Sequence, residues 1–312
     1  MAHEISVIIP HYNNPNGLSI LLQSIPDDER IQVVVVDDCS TRELEQYEIL
    51  KKKYENKGIV FLKNLNNSGA GAARNKGMSV ADGEWLLFAD SDDYFAKGAF
   101  DVLFEQIKRK EDIVYFPPTS VYLNSETKSD RHVKYEKMIS DYLESNDDLW
   151  IRFSWASPCS KIIRRSTVIN NDVVFDEVPV SNDVMFSVKS AFYANEVGVS
   201  RDVIYVITCN SESLTNKKNI ERFKIRVDTW IERYMFLKQR IEKDRFERLG
   251  YNLNGWVSMA IFRGYGINAV WYIVSKIVVY RIPVIKYLSV SRIFKSMTNQ
   301  IRLLIKNKIF WR

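Results

Sequence analysis

Four short apolar segments near the start of the chain constrain its fold more than any other feature. They are rich in β-branched residues and lack strict alternation of polar and apolar positions: "ISVIIP", "IQVVVVDD", "IVFLKN" and "EWLLFAD". This pattern is typical of strands that are covered on both faces. Helices are predicted between them at residues 17–25, 42–56 and 69–81. The alternation predicts an α/β fold with a Rossmann-like, doubly wound, mostly parallel sheet.

Polar residues follow each predicted strand. In chain order they read "PHYNN", "DDCST", "NLNNSGAG" and "DSDD". Ligands of doubly wound sheets bind outside the carboxyl ends of the strands. We therefore expect these residues to share one crevice that combines carboxylates, amides, glycine backbone and an arginine.

The segment "DSDD" places Asp90, Asp92 and Asp93 directly after the fourth strand. Neighbouring carboxylates repel and raise one another's pKa unless a cation lies among them. Two of them on a short turn suit Mg²⁺ or Mn²⁺ that also holds a diphosphate. Asp90 and Asp92 are thus predicted metal ligands. The alternative is an ordinary Asp-rich turn in which Asp93 caps a helix.

The second and third strands end in different chemistry. Asp37 and Asp38 suit hydrogen bonds from a base or ribose, or else they cap the next helix with Ser40 and Thr41. The segment "SGAGAARNKG" offers glycine backbone and Arg74 to a phosphate. It is only a partial dinucleotide fingerprint, because it follows the third strand and lacks the third glycine, so a dehydrogenase is disfavoured.

Taken together, "SVIIPHYNN", "VVVVDDCST", "NNSGAGAARNKG" and "WLLFADSDDYF" closely resemble the nucleotide-sugar-binding half of family 2 glycosyltransferases. These are inverting enzymes with the GT-A fold. The resemblance continues more loosely through "WASPCSKIIRRSTV" and "NDVMF", and it covers roughly residues 4–215.

The resemblance implies a role for individual residues. Asp38 would contact the base, Arg74 would neighbour the nucleotide, Asp90 would lie at the ribose and metal, and Asp92 would be the firmest metal ligand. Asp183 falls on the aspartate that serves this family as catalytic base. The family more often has Glu where this chain has Asn182, a departure that leaves the base intact. The remaining substrate-binding residues expected from the four segments are Pro10, Tyr12, Asn13, Ser40, Gly69 and Ser91.

The mechanism needs one carboxylate and one metal. Inversion requires a base that deprotonates the acceptor hydroxyl on the face opposite the departing diphosphate, while the metal stabilises the leaving group. Asp183 lies at the start of a helix predicted at 181–194, capped by Ser181 or Asn182. That position alone would lower its pKa. The alternative for Asp183 is an ordinary acid in the first turn of the helix.

The charge is divided unevenly along the chain. Residues 216–312 contain 21 Lys plus Arg and 6 Asp plus Glu, so they carry +15, whereas residues 1–215 carry −10. No acidic residue follows Leu249. Such a tail favours an anionic surface. Its apolar stretch is interrupted too often by Lys, Arg and Pro to span a membrane.

The end of the tail has an amphipathic pattern that predicts an in-plane membrane anchor. Its apolar face comprises Phe294, Met297, Ile301, Leu304 and Ile305. Its basic face comprises Lys295, Arg302 and Lys306. We predict a GT-A domain over 1–215, with a nucleotide-sugar half at 1–115 and an acceptor half at 116–215. A basic, membrane-associating helical extension follows at 216–312, whose contact with an anionic membrane lies in 250–312. The alternative is that the tail packs on the core.

Three widely spaced cysteines, Cys39, Cys159 and Cys209, argue against a disulfide framework and a zinc site. The N-terminal segment lacks a basic region and reads as a strand, so no secretory signal is expected. A cytoplasmic protein, peripheral on the inner face of the cell membrane, is therefore predicted. The role of Lys161, Arg164 and Arg165 is left open between contact with an anionic ligand and a solvated basic face.

The predicted function is a metal-dependent inverting glycosyltransferase. It would transfer a sugar from a UDP-sugar to a hydroxyl of a lipid-linked or growing cell-surface polysaccharide, such as O-antigen or capsule. One alternative is a sugar-1-phosphate nucleotidyltransferase, which would need a glycine-rich basic loop after the first strand. Another is a non-catalytic, membrane-associated protein that binds nucleotide sugars. Nucleic acid is not an expected partner, and the oligomeric state is open.

Overall fold

The four apolar segments form neighbouring strands β1 (Ile5–His11), β2 (Ile31–Asp37), β3 (Val60–Lys63) and β4 (Trp85–Phe88) in a computed structural model of the chain. All three pairs in the order β3-β2-β1-β4 are parallel, as predicted. The structure describes residues 3–123, 127–209 and 218–282.

The sheet continues beyond β4 with shorter strands from the middle of the chain. In chain order the remaining strands are β5 (Tyr94–Phe95), β6 (Ile113–Tyr115), β7 (Thr119–Tyr122), β8 (Lys161–Arg164), β9 (Val197–Val199) and β10 (Tyr205–Cys209). The main sheet has the order β3-β2-β1-β4-β8-β6-β9, and β8 runs antiparallel to both of its neighbours. A small second sheet has the order β5-β10-β7. The segment "IVYFPPTSVYL" could be read as one strand, but it contributes β6 and β7 to different sheets.

Helices connect the strands and cover the sheet. Their bounds are α1 (Pro15–Gln23), α2 (Leu44–Glu55), α3 (Gly69–Met78), α4 (Ala99–Gln106), α5 (Val133–Ser145), α6 (Leu149–Ser154), α7 (Arg165–Ile169), α8 (Val184–Tyr193), α9 (Ile220–Arg240), α10 (Lys243–Arg248), α11 (Asn254–Phe262) and α12 (Ile267–Tyr280). Helix α5 lies in the polar stretch 124–148, whose sequence has no clear helix or strand pattern. The three helices predicted among the first strands are present with shifted ends.

The core explains why the strands lack alternation. In β4, Trp85 and Leu87 pack into a buried cluster on one face of the sheet, whereas Leu86 and Phe88 pack into a cluster on the other. Strand β1 likewise sends Val7 to the first cluster and Ile8 to the second. Because helices cover both faces, successive residues are all apolar.

Two predicted helix caps are wrong. Asp183 occupies the position before α8, and neither Ser181 nor Asn182 caps it, because Ser181 has a left-handed φ of 58°. Helix α2 begins after Glu43, which has a φ of 54° and makes no capping bond with its side chain. The Asp-rich loop that follows β2 therefore does not cap α2, and its carboxylates accept hydrogen bonds elsewhere.

Contacts divide the chain into two compact units, residues 1–249 and 250–312. The first unit includes α9, which the sequence analysis assigned to the C-terminal extension. Helix α9 packs on α8, where Lys189 lies 3.8 Å from Glu232 and the rings of Phe192 and Phe236 meet edge to face. Burial of an aromatic face against α8 outweighs the high surface charge of α9.

In the second unit, α11 and α12 pack against each other. Helix α12 leaves an apolar stripe exposed at helical spacing, formed by Ile267, Trp271, Val274 and Val278. Among the described residues, no helix is both long and apolar enough to cross a bilayer. The predicted amphipathic segment, with Phe294, Met297, Ile301, Leu304, Ile305, Lys295, Arg302 and Lys306, lies outside the described residues.

Candidate active site

The first three strands end level with one another, which brings their polar loops to one edge of the sheet. His11 is in register with Asp37, and Asp37 is in register with Lys63. Backbone hydrogen bonds between the strands continue one residue beyond these pairs. The amide of Asp38 donates to the carbonyl of His11 at 2.8 Å, and the amide of Asn64 donates to the carbonyl of Asp37 at 2.8 Å. The predicted crevice at this edge therefore forms.

Asp38 holds the loop that follows β3. Its Oδ1 accepts from the side chain of Asn64 at 2.8 Å and from the amide of Ser68 at 3.0 Å, while Oδ2 accepts from the amide of Gly69 at 2.7 Å. Gly69 starts α3 with a φ of 88°, a conformation that favours glycine. Asp38 therefore orders the start of α3. Its contact with a nucleotide base stays a prediction.

Asn13 and Ser40 tie the first loop to the second. The amide of Asn13 donates to the Ser40 hydroxyl at 2.8 Å, and the Asn13 side-chain oxygen accepts from the amides of Thr41 and Arg42. Tyr12 is 43% exposed, whereas Pro10 is buried within β1. The loop between β1 and α1 consists of Tyr12, Asn13 and Asn14. It lacks the glycine-rich basic sequence that a nucleotidyltransferase would need.

His11 and Asp37 belong to the support of the crevice. The amide of Asn14 donates to His11 Nε2 at 3.3 Å, which leaves Nδ1 to donate to Asp37 at 3.0 Å. The His11 ring stacks on Tyr47 with centroids 4.7 Å apart. Asp37 also accepts from the Ser40 hydroxyl and amide at 2.5 and 3.1 Å, and these bonds, with His11, hold its pKa below its ordinary value against the effect of burial. These contacts fix the side chains of His11 and Asp37 in place.

Asp90, Asp92 and Asp93 bring one carboxylate oxygen each within 4.8 Å of one another. Burial and the charge of Asp90 raise the pKa of Asp92 to about 6. Burial and the charges of Asp92 and Asp90 raise the pKa of Asp93 well above its ordinary value. Such a set of hard oxygen donors fits a divalent cation. The repulsion that the sequence predicted is present, and a bound cation would relieve it.

Asp93 differs from the other two in being fastened to β10. Its Oδ1 accepts from the amide of Thr208 at 2.7 Å. The next element after Asp93 is strand β5, so its predicted alternative role as a helix cap is wrong. The Tyr205 hydroxyl accepts the amide of Asp90 at 2.9 Å. Strand β10 thus supports Asp93 and the Asp-x-Asp turn (residues 90–92) through Thr208 and Tyr205, contacts that no local sequence pattern predicts.

The buried guanidinium of Arg74 joins the Asp-x-Asp turn to the loop before α8. It donates to Asp90 Oδ1 at 2.5 Å and to the side-chain oxygen of Asn182 at 2.9 Å. The ring of Phe175 lies beneath it, with 5.2 Å between the guanidinium carbon and the ring centroid. Asn182 therefore accepts a bond from Arg74 at the position where the family more often has Glu.

Asp183 follows Asn182 in the chain and lies at the N-terminus of α8. Burial raises its pKa above the ordinary value and the charge of Asp90 adds to this, while Arg74 and Lys161 oppose it. The helix N-terminus by itself would lower this pKa, but desolvation outweighs that effect here. A carboxylate with a raised pKa is a better proton acceptor, as a general base requires.

Lys161 is fully buried on β8, so it is not part of a solvated basic face. Its ammonium makes no hydrogen bond within the part of the chain that the structure describes. Burial lowers its pKa to about 7, against the opposing charge of Asp183. By contrast, Arg164 pairs with Glu84 and Asp112 at the other end of the same strand. The sequence could not separate these two bases, because burial depends on the neighbouring strands.

A cavity of about 250 Å³ opens beside Asp90 and Asp183. Its wall includes three carboxylates, Asp90, Asp93 and Asp183, and two bases, Arg131 and Lys134. Pro118, Tyr135, Trp155, Ala156, Ser157, Cys159, Ser160, Tyr205 and Ile207 complete the lining. Neither Arg131 nor Lys134 was among the predicted site residues, because the polar stretch 124–148 has no clear helix or strand pattern.

The predicted site residues therefore divide into two groups. Arg74, Asp90, Asp92 and Asp183 are brought together around the cavity and the carboxylate cluster. The residues expected at the nucleotide gather at the neighbouring loops of β1 to β3, with Ser91 adjoining them because its carbonyl accepts from Asn14 at 3.4 Å. Their contacts with a substrate stay predictions.

Comparison with known proteins identifies a family. The sequence profile described as "Glycosyl transferase family 2" matches residues 6–170. The poly(ribitol-phosphate) β-N-acetylglucosaminyltransferase TarS of Staphylococcus aureus is 29% identical over 216 residues, which are 67% of this chain and 36% of TarS. The poly(ribitol-phosphate) β-glucosyltransferase of Bacillus spizizenii is 28% identical over 65% of this chain and 32% of that enzyme. The chain thus spans about a third of the length of these curated relatives.

Solved structures agree on the fold. The crystal structure of S. aureus TarS 1–349 in complex with UDP matches with a TM-score of 0.58 and 26% identity, over 82% of this chain and 71% of that one. The α/β fold with a mostly parallel central sheet is that of the GT-A glycosyltransferases, as the sequence resemblance predicted.

Proposed function

The chain belongs to glycosyl transferase family 2, and we propose that it transfers a sugar from a UDP-sugar, with inversion, to a hydroxyl of a cell-surface glycan. One observation carries the proposal. Asp183 and the Asp-x-Asp turn border the same cavity and are linked through Arg74 and Asn182. This arrangement sets a proton acceptor and a cluster of hard oxygen ligands on either side of the space for a sugar.

The donor binds along the carboxyl edge of the sheet. Pro10, Tyr12, Asn13, Asp38 and Ser40 line the uridine side, with Gly69 and Arg74 at the start of and within α3. Asp90 and Asp92 hold Mn²⁺ or Mg²⁺, which supplies positive charge for the departing diphosphate when it is bound. The UDP complex of TarS supports this choice of nucleotide. The sugar differs between the two poly(ribitol-phosphate) transferases and stays open here.

Asp183 acts as the base. It takes the proton from the acceptor hydroxyl as the oxygen attacks the anomeric carbon, and the bond to the diphosphate oxygen breaks on the opposite face. Burial raises its pKa and so strengthens it as a proton acceptor. Arg74 fixes Asp90 and Asn182, and through Asn182 it positions the neighbouring Asp183.

The acceptor is a lipid-linked or growing cell-surface polymer. The relatives that act on poly(ribitol phosphate) support a polymer of the cell envelope. A protein that works on such an acceptor benefits from lying close to the inner face of the membrane. The exposed stripe Ile267, Trp271, Val274 and Val278 of α12 provides an apolar surface for this, within a segment that has no acidic residue after Leu249.

Titration with UDP, with and without Mn²⁺, tests the donor site. The wild-type chain should bind UDP more tightly with Mn²⁺, and Asp90→Asn/Asp92→Asn should lose that gain. Asp183→Asn should retain UDP binding and lose transfer by at least a hundredfold, since a general base contributes about 10²–10⁴ in rate. Wild-type protein that binds no UDP in the presence of metal would refute the donor assignment, and unchanged transfer by Asp183→Asn would remove Asp183 from the mechanism.

Flotation with vesicles tests the membrane proposal. The full chain should float with vesicles of anionic lipid, and Trp271→Glu/Val278→Glu should not, because two charges then interrupt the apolar stripe. Trp150→Glu is the matched control, since Trp150 is an exposed tryptophan of the first unit. Equal flotation of all three proteins would contradict the role of α12.

A further inference from the structure

We propose that Arg131 and Lys134 form an anion-binding subsite on the acceptor side of the cavity, and that the acceptor carries a phosphate ester close to the hydroxyl that reacts. This inference rests on the proposed function, in which Asp183 receives the proton of that hydroxyl.

The first support is the position of the two bases. Arg131 immediately precedes the start of α5, and Lys134 lies in its first turn. Both line the cavity into which Asp183 opens. The residues of the proposed uridine side, including Tyr12 and Asp38, do not contribute to this cavity wall. Arg131 and Lys134 therefore lie at the end of the site where Asp183 meets the acceptor hydroxyl.

The second support is that neither base forms an ion pair. Within residues 3–123, 127–209 and 218–282, neither Arg131 nor Lys134 pairs with a carboxylate, although many surface bases of the chain do. Lys137, one turn along α5, lies 2.7 Å from Asp141. His132, between the two bases, turns inward instead, where its Nδ1 lies 2.6 Å from the Ser120 hydroxyl. Arg131 and Lys134 therefore keep hydrogen-bond donors for a ligand in the cavity.

The third support is their mutual repulsion. The pKa of Lys134 lies below its ordinary value because it is partly desolvated and because Arg131 adds a like charge, while Asp183 acts in the opposite direction. Two like charges at one cavity wall repel each other, and a bound anion would relieve that repulsion beyond what Asp183 does.

The acceptor is a better source of this anion than the donor. The diphosphate of the donor has its own counter-charge in the metal held by Asp90 and Asp92. The charge of Lys134 acts on Asp183, the group that faces the acceptor. Arg131 lies nearer the carboxylate cluster, since its charge acts on Asp92. The pair thus spans the space from the proton acceptor to the edge of the metal site.

Phosphate fits this pair better than a carboxylate does. The planar guanidinium of arginine binds two oxygens of one group, and the lysine ammonium is a point charge that reaches a third. A tetrahedral phosphate ester has oxygens that can contact the guanidinium of Arg131 and the ammonium of Lys134 at the same time. The phosphate can belong to the repeating unit of the polymer or to the lipid carrier, and the two sources present the same group to Arg131 and Lys134.

Acceptor kinetics separate these possibilities. The full chain would be assayed with UDP-GlcNAc, Mn²⁺ and three acceptors: an oligomer of ribitol phosphate, free ribitol, and a neutral disaccharide linked to a lipid diphosphate. Arg131→Gln and Lys134→Gln should each raise KM for a phosphate-bearing acceptor about tenfold or more. Lys137→Gln, the control from the same helix, should leave KM unchanged. An effect confined to the soluble oligomer assigns the phosphate to the polymer, and one confined to the lipid substrate assigns it to the carrier.

Two further measurements keep the inference separate from the proposed function. In Arg131→Gln and Lys134→Gln, the fold-change in KM for the phosphate-bearing acceptor should exceed any fold-change in the Kd of UDP with Mn²⁺, and Lys137→Gln should leave that Kd and the slow hydrolysis of UDP-GlcNAc by water unchanged. Titration of the wild-type complex with ribitol 5-phosphate should show binding that both variants lose and that Arg131→Lys partly restores.

Several outcomes would overturn the subsite. These are a loss of UDP affinity in either variant as large as its loss of acceptor affinity, equal effects on ribitol and its phosphate, or failure of the wild type to bind ribitol 5-phosphate. Absence of UDP binding and hydrolysis in the wild type would instead refute the proposed function.

Discussion

Replacing Arg74 with methionine should destabilise the first unit by about 2–3 kcal/mol. The Arg74 side chain is 5% exposed and its guanidinium donates to Asp90 at 2.5 Å, whereas the Asp90 side chain is 42% exposed. Removing one partner of a fully buried ion pair costs roughly 3–5 kcal/mol. Solvent screening at the exposed carboxylate reduces that figure. The lost bond to Asn182 adds to the cost, because a half-buried acceptor is left without its donor.

Urea unfolding followed by tryptophan fluorescence measures this loss, since Trp85 and Trp155 are both buried in the first unit. Arg30→Met is the control: Arg30 pairs with Asp28 at 2.7 Å, but its side chain is 46% exposed. That variant should lose much less stability than Arg74→Met, because water screens the exposed pair. Both Arg74→Met and Arg30→Met remove an arginine that pairs with an aspartate. A larger loss of stability in Arg74→Met can therefore be assigned to the burial of Arg74.

A double-mutant cycle tests whether Arg74 stabilises the protein by offsetting the repulsion among the carboxylates of the Asp-x-Asp turn. Asp90→Asn removes one charge from the cluster, so Arg74→Met/Asp90→Asn should cost at least about 1 kcal/mol less than the sum of the single substitutions. A loss below about 1 kcal/mol in Arg74→Met, or strict additivity in the cycle, would show that Arg74 does not neutralise the Asp-x-Asp turn.

Two other substitutions test the packing around the site. Gly71→Ala should destabilise the protein by about 2 kcal/mol or more, since the added Cβ would lie 2.1 Å from the carbonyl oxygen of Asp176. In thermal unfolding the control Gly255→Ala, whose added Cβ meets nothing within 4 Å, should be neutral or stabilising. Equal stability of the two variants would contradict the close approach at Gly71. Lys161→Met should flatten the dependence of stability on pH. Burial lowers the pKa of Lys161 to about 7, so between about pH 7 and 10.4 the unfolded chain binds more protons and wild-type stability should rise with pH, by up to about 1.4 kcal/mol per unit. Parallel curves for wild type and variant in that range would refute the burial of a neutral lysine.

The local pattern of the chain determined the first half of the fold and the choice of ligand chemistry. Runs such as "IQVVVVDD" are apolar at successive positions because helices cover both faces of the sheet, so the absence of alternation identified the parallel strands. Strands that run parallel end at one edge, and their carboxyl-end loops must meet there. Asp90, Asp92 and Arg74 could therefore be assigned to one crevice from sequence order alone.

Tertiary structure decided what surrounds each of those groups. The direction of the Asp183 pKa shift depends on burial, which outweighs the helix terminus that the sequence reveals. Lys161 and Arg164 belong to the same basic segment, yet only the neighbouring strands determine that the first is buried and the second is paired with acids. Tyr205, Arg131 and Lys134 reach the site from distant parts of the chain.

Desolvation and counter-charges are properties of the assembled neighbourhood, because they depend on atoms that are remote in sequence. A linear sequence names the charged groups and, through the strand pattern, the edge at which some of them meet. Only the packed structure sets how strongly water and neighbouring charges act on each of them.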